Sequence, residues 1–316
     1  MSRTIYLTQR SKRHILKSLD ATVDPAVYNG IEFGVFGIPG NSLTKLNCPQ
    51  CISDVSLSNT NFYISDTGNK RVLLLDSFFP EGFFVASYLT ENYGYPYAIS
   101  YEWRVTMLQD NIFVIVVDSK LNLRIIKLSA NSLTDPVVSD VLYTLKNNNC
   151  KPTGFYFVSP TPDFETVYIQ YFITGIDEYI YITNYYFATQ TFSPLVRQVI
   201  HGETTKGTIY STFTDTNYNK VIKHSNDDYY FNNGQKLIRV DSTFNKIGNT
   251  QNISRSLLGL TENRMTGQLL TYDANKRKIM RFDSELTYID DVYSYPNDGL
   301  IATDAYDISD FVEFFP

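Results

Sequence analysis

With 316 residues, 43% of them hydrophobic and 15% aromatic, the chain carries enough apolar surface for a large core, and its 25 Tyr and 21 Phe favour pleated strands over helices. A net charge of -6 argues against a protein that coats nucleic acid with its whole surface, and three cysteines are too few for a disulfide framework. Arg3, Arg10, Lys12, Arg13 and Lys17 interrupt the first residues, so no export signal is expected there, and no apolar run approaches the roughly 18 residues of a membrane span. Synthesis in the cytoplasm without export, and no membrane partner, are therefore expected.

In chain order, the sequence predicts six β-hairpins. The first runs from Ile5 to Leu19 around a turn beginning at Gln9. The second, Phe62 to Asp76, places an apolar strand, a polar turn with Asp66, Gly68 and Asn69, and a second apolar strand in succession. The third, Phe113 to Leu128, has a turn one residue longer that starts at Asp118. The fourth spans Val167 to Ala188 with its turn expected over Gly175 to Glu178, and the fifth spans Tyr229 to Asp241 with a shorter turn. The sixth, Leu269 to Asp283, lies on the second without a gap: Asp273 falls on Asp66, Ile279 on Val72 and Asp283 on Asp76.

Short apolar segments before the hairpins, in Cys48 to Val55, Tyr95 to Ile99 and Lys151 to Val158, supply an innermost strand. Segments after them, such as Phe83 to Tyr88 and Thr287 to Tyr293, supply an outer edge. Six units of four strands are the arithmetic of an all-β, six-bladed β-propeller forming one domain over residues 1–316. Gly299 to Ile308 reads as an innermost strand with no hairpin after it, so a strand at about 300–308 is expected to join the N-terminal blade and close the ring.

The Phe62 to Asp76 unit, preceded by Phe36-Gly-Ile-Pro-Gly40 and Pro49, resembles an NHL repeat, and the Leu269 unit matches the pattern well; the other four depart from it in turn length and lack its glycines. Some NHL-type lyases and lactonases hold a metal over the central channel. The resemblance therefore leaves open a metal-dependent enzyme of that type, with Asp54, Glu102 and Asp304 on or near innermost strands as oxygen ligands for calcium or magnesium, or else simply solvated. His14, His201 and His224 are scattered along the chain, and Cys48 and Cys51 form a lone C-x-x-C without the second pair that zinc requires. No metal, cofactor or catalytic constellation is expected.

Asp66, Asp118 and Asp273 end the first strand of their hairpins, where a carboxylate can accept bonds from turn N–H groups; their expected role is structural. The hairpin turns hold more Lys and Arg than Asp and Glu, although the chain is acidic. In a closed ring Arg10, Lys12, Arg13, Lys70, Arg71, Lys276, Arg277 and Lys278 would form one basic arc on the face where the turns emerge. Such an arc suits other proteins of a larger assembly, or RNA, or is only a solvated rim. The expected function is a non-enzymatic scaffold. The Asn- and Tyr-rich composition resembles structural components of bacteriophage tails and collars, which makes a virion its expected location.

Overall fold

The computed structural model describes residues 4–9, 15–20, 26–33, 40–42, 45–53, 61–76, 84–104, 109–129, 132–146, 151–157, 168–176, 179–198, 219–253, 257–263, 265–294 and 308–314. Among these the strands form six antiparallel sheets. The first contains Ile308–Phe314, Thr4–Gln9, Ile15–Asp20 and Val27–Phe33, in that spatial order. The second is Pro49–Ile52, Asn61–Asp66, Arg71–Asp76 and Phe84–Leu89. The third is Tyr95–Arg104, Gln109–Val117, Asn122–Ser129 and Ser132–Val138, and the short Tyr143–Thr144 also pairs with its third strand. The fourth is Gly154–Phe157, Tyr168–Ile176, Tyr179–Tyr186 and Thr191–Phe192, with Val196–Gln198 beside its third strand. The fifth is Asn219–Lys223, Tyr229–Asn233, Lys236–Val240 and Lys246–Asn252; the sixth is Leu257–Asn263, Gln268–Asp273, Lys278–Phe282 and Tyr288–Ser294.

Among the described residues each core cluster lies between two consecutive sheets, and the second strand of the third sheet feeds both of its neighbours. Ile112, Val114 and Val116 pack with Tyr63, Val72 and Leu74 of the second sheet, while Phe113, Ile115 and Val117 pack with Tyr171, Ile173 and Tyr185 of the fourth. Burial on both faces explains why 112–117 is an unbroken apolar run rather than an alternating one. Aromatic rings fill the gaps between sheets. Phe172 meets Tyr229 edge-on at 5.4 Å and Phe244 at 5.3 Å, an arrangement favoured by ring quadrupoles.

Hydrogen bonds cross these gaps as well. The Thr67 hydroxyl donates to the Pro96 carbonyl at 2.5 Å, the Tyr156 hydroxyl to Lys223 O at 3.1 Å and the Tyr230 hydroxyl to Ser284 O at 2.6 Å. The strand that pairs with Thr4–Gln9 is Ile308–Phe314, from Thr4 opposite Phe314 to Thr8 opposite Asp310, after which a bulge sets Gln9 opposite Ile308. It therefore lies further along the chain than the 300–308 expected from the sequence; residues 300–307 fall outside the described set.

Candidate partner-binding face

Tight turns are built on side-chain acceptors. In Asp118 to Asn122, Asp241 to Asn245 and Asp283 to Thr287 the carboxylate Oδ1 accepts the N–H groups two and four residues on, at 2.7–2.9 Å in all but one case and 3.0 Å from Glu285. The fourth residue of each, Leu121, Phe244 or Leu286, is left-handed with φ of 64–65°. An apolar residue in that conformation is strained by about 1–2 kcal/mol, but each is turned inward against the core, Leu286 with 1% exposure, which offsets the strain. The network of hydroxyl and amide bonds around exposed Asp241 holds its carboxyl down at about 2.

His224 occupies the same station in the turn between the first two strands of the fifth sheet. Its Nδ1 accepts the Asn226 N–H at 3.1 Å, and its Nε2 lies 2.7 Å from Gly267 O, which assigns the proton to Nε2. Glu262 lies 3.5 Å from that nitrogen. The ring ties the fifth sheet to the sixth through a contact 43 residues apart in the chain, which local sequence does not reveal.

Asp66 and Asp273 each end the second strand of a blade. Asp66 is fully buried and accepts the Asn47 N–H at 2.6 Å, the Asn69 amide at 2.7 Å and the Arg71 Nε at 2.7 Å. Burial raises its pKa, and those three partners pull against the rise. Asp273 takes the turn amides of Asn275 at 2.9 Å and Lys276 at 3.1 Å.

The basic residues do not share one environment. Arg71 is a correction to the sequence reading: its guanidinium is buried, donating to Asp66 and to the carbonyls of Asn41, Ser42 and Lys45 at 2.7–3.0 Å. It anchors a loop and is withdrawn from the surface. Lys70 and Arg277 are both left-handed, with φ of 51° and 59°, at matching turn positions. The Lys70 ammonium sits 4.7 Å above the Tyr95 ring. Lys276 is exposed with Nζ 3.7 Å from Asp273, and Lys278 pairs with Asp291. Arg10, Lys12 and Arg13 lie outside the described residues, as do His14, Asp54, Cys150, His201 and Asp304; Glu102 is placed on the innermost strand of the third sheet. Cys51 is buried and Cys48 half-buried. Among the described residues no group of three or more His, Cys, Asp or Glu is placed to hold a metal ion.

The turn Thr67 to Lys70 and the loop leading to the third sheet leave the same face, joined by the Thr90 N–H to Lys70 O bond at 2.7 Å. Leu89, 63% exposed, and Tyr95, 36% exposed, stand beside Lys70 there. Val141, 41% exposed, follows on the loop that returns to the third sheet's hairpin through Leu142 N–H to Leu123 O.

Antiparallel blades of four strands in line, stacked face to face with the cores of the described residues between consecutive blades, define a β-propeller. No protein-family model matches the chain, and no curated protein matches it. Solved structures do. A chain of a nidogen/laminin complex is similar with a TM-score of 0.60 and 10% identity, over 99% of this chain and 98% of that one. A protein of unknown function from Bacteroides caccae gives 0.60 and 7% over the whole of both chains. Virginiamycin B lyase from Staphylococcus aureus gives 0.52 and 12%, over 92% of this chain and 80% of that one. At such identities the likeness establishes the fold alone.

Proposed function

We propose that the protein is a non-enzymatic six-bladed propeller, one domain over residues 1–316, that joins other proteins in an assembly through its hairpin-turn face. Ring closure is supported by the order of innermost strands. Ile308–Phe314 has Leu257–Asn263 on one side and Pro49–Ile52 on the other, and from Pro49–Ile52 each innermost strand neighbours the next until Leu257–Asn263 is reached. The Ala26 N–H to Val292 O bond further links the chain after the first hairpin to the sixth sheet.

The observation that carries the binding role is the junction of Leu89, Tyr95 and Lys70. An exposed aliphatic, an exposed tyrosine and a cation on its ring give the mixed apolar and cationic surface typical of interface anchors. Lys276 and Arg277 add positive charge on the corresponding turn of the sixth sheet. An acidic protein surface is the partner this chemistry suits. The Asn- and Tyr-rich composition is the support for placing that assembly in a bacteriophage tail or collar, with synthesis in the cytoplasm.

Lysine-directed cross-linking of the native assembly, read by mass spectrometry, tests the reading. Inter-protein links are expected at Lys70, Lys120 and Lys276, on the hairpin face, and not at Lys223 or Lys246. Recovery as a lone monomer, or links confined to Lys223 and Lys246, would overturn it.

A further inference from the structure

A cleft of about 400 Å³ opens between the fifth and sixth sheets, lined by Ile253, Lys276, Lys278, Met280, Phe282, Tyr288 and Asp291. Its construction follows from strand alternation. Lys278, Met280 and Phe282 share one face of their strand, and the register sets Asp291 opposite Met280 and Tyr288 opposite Phe282. Arg281, on the other face, clasps Asp290 through two bonds of 2.6 and 2.8 Å and so holds the outer strand in place. Ile253, just past the outer strand of the fifth sheet and anchored by its N–H to Gln235 O, forms the opposite wall. Met280 and Phe282 make the floor, at 2% exposure each.

The rim supplies donors. Asp291 already takes the Tyr288 hydroxyl on Oδ1 at 2.9 Å and the Lys278 ammonium on Oδ2. Lys278 keeps further N–H groups, and Lys276, 55% exposed, lies at a long 3.7 Å from its nearest carboxylate. Tyr288 has spent its proton on Asp291. Spare ammonium donors above an apolar floor match a molecule with acceptor oxygens at one end and a flat apolar body at the other. The volume lies within the range of small-ligand pockets.

We propose that this cleft binds a small aromatic anion, a carboxylate or sulfonate on a planar apolar body, with Lys276 and Lys278 on the anionic group and Met280, Phe282 and Ile253 on the ring. The cleft shares Lys276 with the proposed docking face but none of Lys70, Leu89 or Tyr95, so dye binding to the isolated protein and cross-linking at Lys70 and Lys120 can fail separately. The probe is 8-anilinonaphthalene-1-sulfonate, followed by its fluorescence. One saturable site is expected, with Lys276→Glu weakening it by about tenfold through loss of a charge-assisted contact. Its uncharged analogue N-phenyl-1-naphthylamine should bind at least about tenfold more weakly for the same reason. Ile253→Trp should fill the cleft and abolish binding with the near-UV circular dichroism retained, whereas Lys70→Glu should leave the dye unaffected. Should Ile253→Trp fail to fold, the exposed Lys276→Glu and the analogue still decide. Equal binding of the uncharged analogue, or dye binding indifferent to Lys276→Glu, would overturn the proposal.

Discussion

The turns of the second and sixth sheets align residue for residue, yet treat their last cation in opposite ways. Arg71 and Lys278 occupy the same position, each paired across its turn, with Asp66 and with Asp273. Arg71 points inward because the chain at residues 41–45 offers it carbonyl oxygens, and its planar fork can bond several at once. Lys278 reaches outward to Asp291 at the rim of a cleft. The carboxylates diverge with them: Asp66 is satisfied from a distant loop and from side chains, Asp273 by the amides of its own turn. A charge in a turn is thus a surface feature or a buried staple according to what folds over it.

The largest test of that contrast is Arg71→Ala, which strands Asp66 in the core. A loss of about 3–5 kcal/mol is expected by chemical denaturation, as for other broken buried pairs, whereas Lys278→Ala should cost about 1 kcal/mol or less. Equal losses would erase the distinction. Next comes the left-handed turn residue of the sixth sheet: Leu286→Ala should lose about 2–4 kcal/mol, while Leu286→Gly, free of left-handed strain, should be about 1 kcal/mol the better of the two. An alanine variant as stable as the glycine one would show that the turn relaxes.

The two kinds of carboxylate also titrate oppositely. Asp241 is depressed from 3.8 to about 2, so its contribution is complete above 3.8 and fades as the pH falls towards 2. The stability gap between the protein and Asp241→Asn should close over that window. Asp66 is raised, so its own contribution is present below 3.8 and diminishes as the pH rises through its folded value; Asp66→Asn should gain relative stability in that direction. The smallest effect is expected at the hairpin face, where Lys70→Glu and Arg277→Glu should shift stability by about 0.5 kcal/mol or less while lowering salt-sensitive partner association.

Much of the blade plan was legible because both-face burial leaves apolar runs of strand length, and hairpins mark their ends. Phe62 to Asp76 and Leu269 to Asp283 show this in full, and the expected edge strands at Phe83 to Tyr88 and Thr287 to Tyr293 lie within one residue of Phe84–Leu89 and Tyr288–Ser294. The turns between third and outer strands were harder. Asp241 and Asp283 were visible, but the large apolar residue three places later gave no turn signal, since a left-handed leucine or phenylalanine is justified only by the core beneath it. Arg71 was misread for a related reason: what buries it lies some 30 residues earlier in the chain, at Asn41 and Ser42. His224 was seen as an isolated histidine, and only the approach of Gly267 reveals what it joins.

The strand Ile308–Phe314 lies beside Thr4–Gln9, the last described segment against the first. During synthesis at about 5–20 residues per second, the first hairpin waits tens of seconds before its inner neighbour emerges from the ribosome. Until then the edge of Thr4–Gln9 is bare, and it can recruit the matching strand of a second nascent chain as readily as its own. The pairing of Ile308–Phe314 with Thr4–Gln9 is therefore also the place where, at high expression, two chains are most liable to exchange ends.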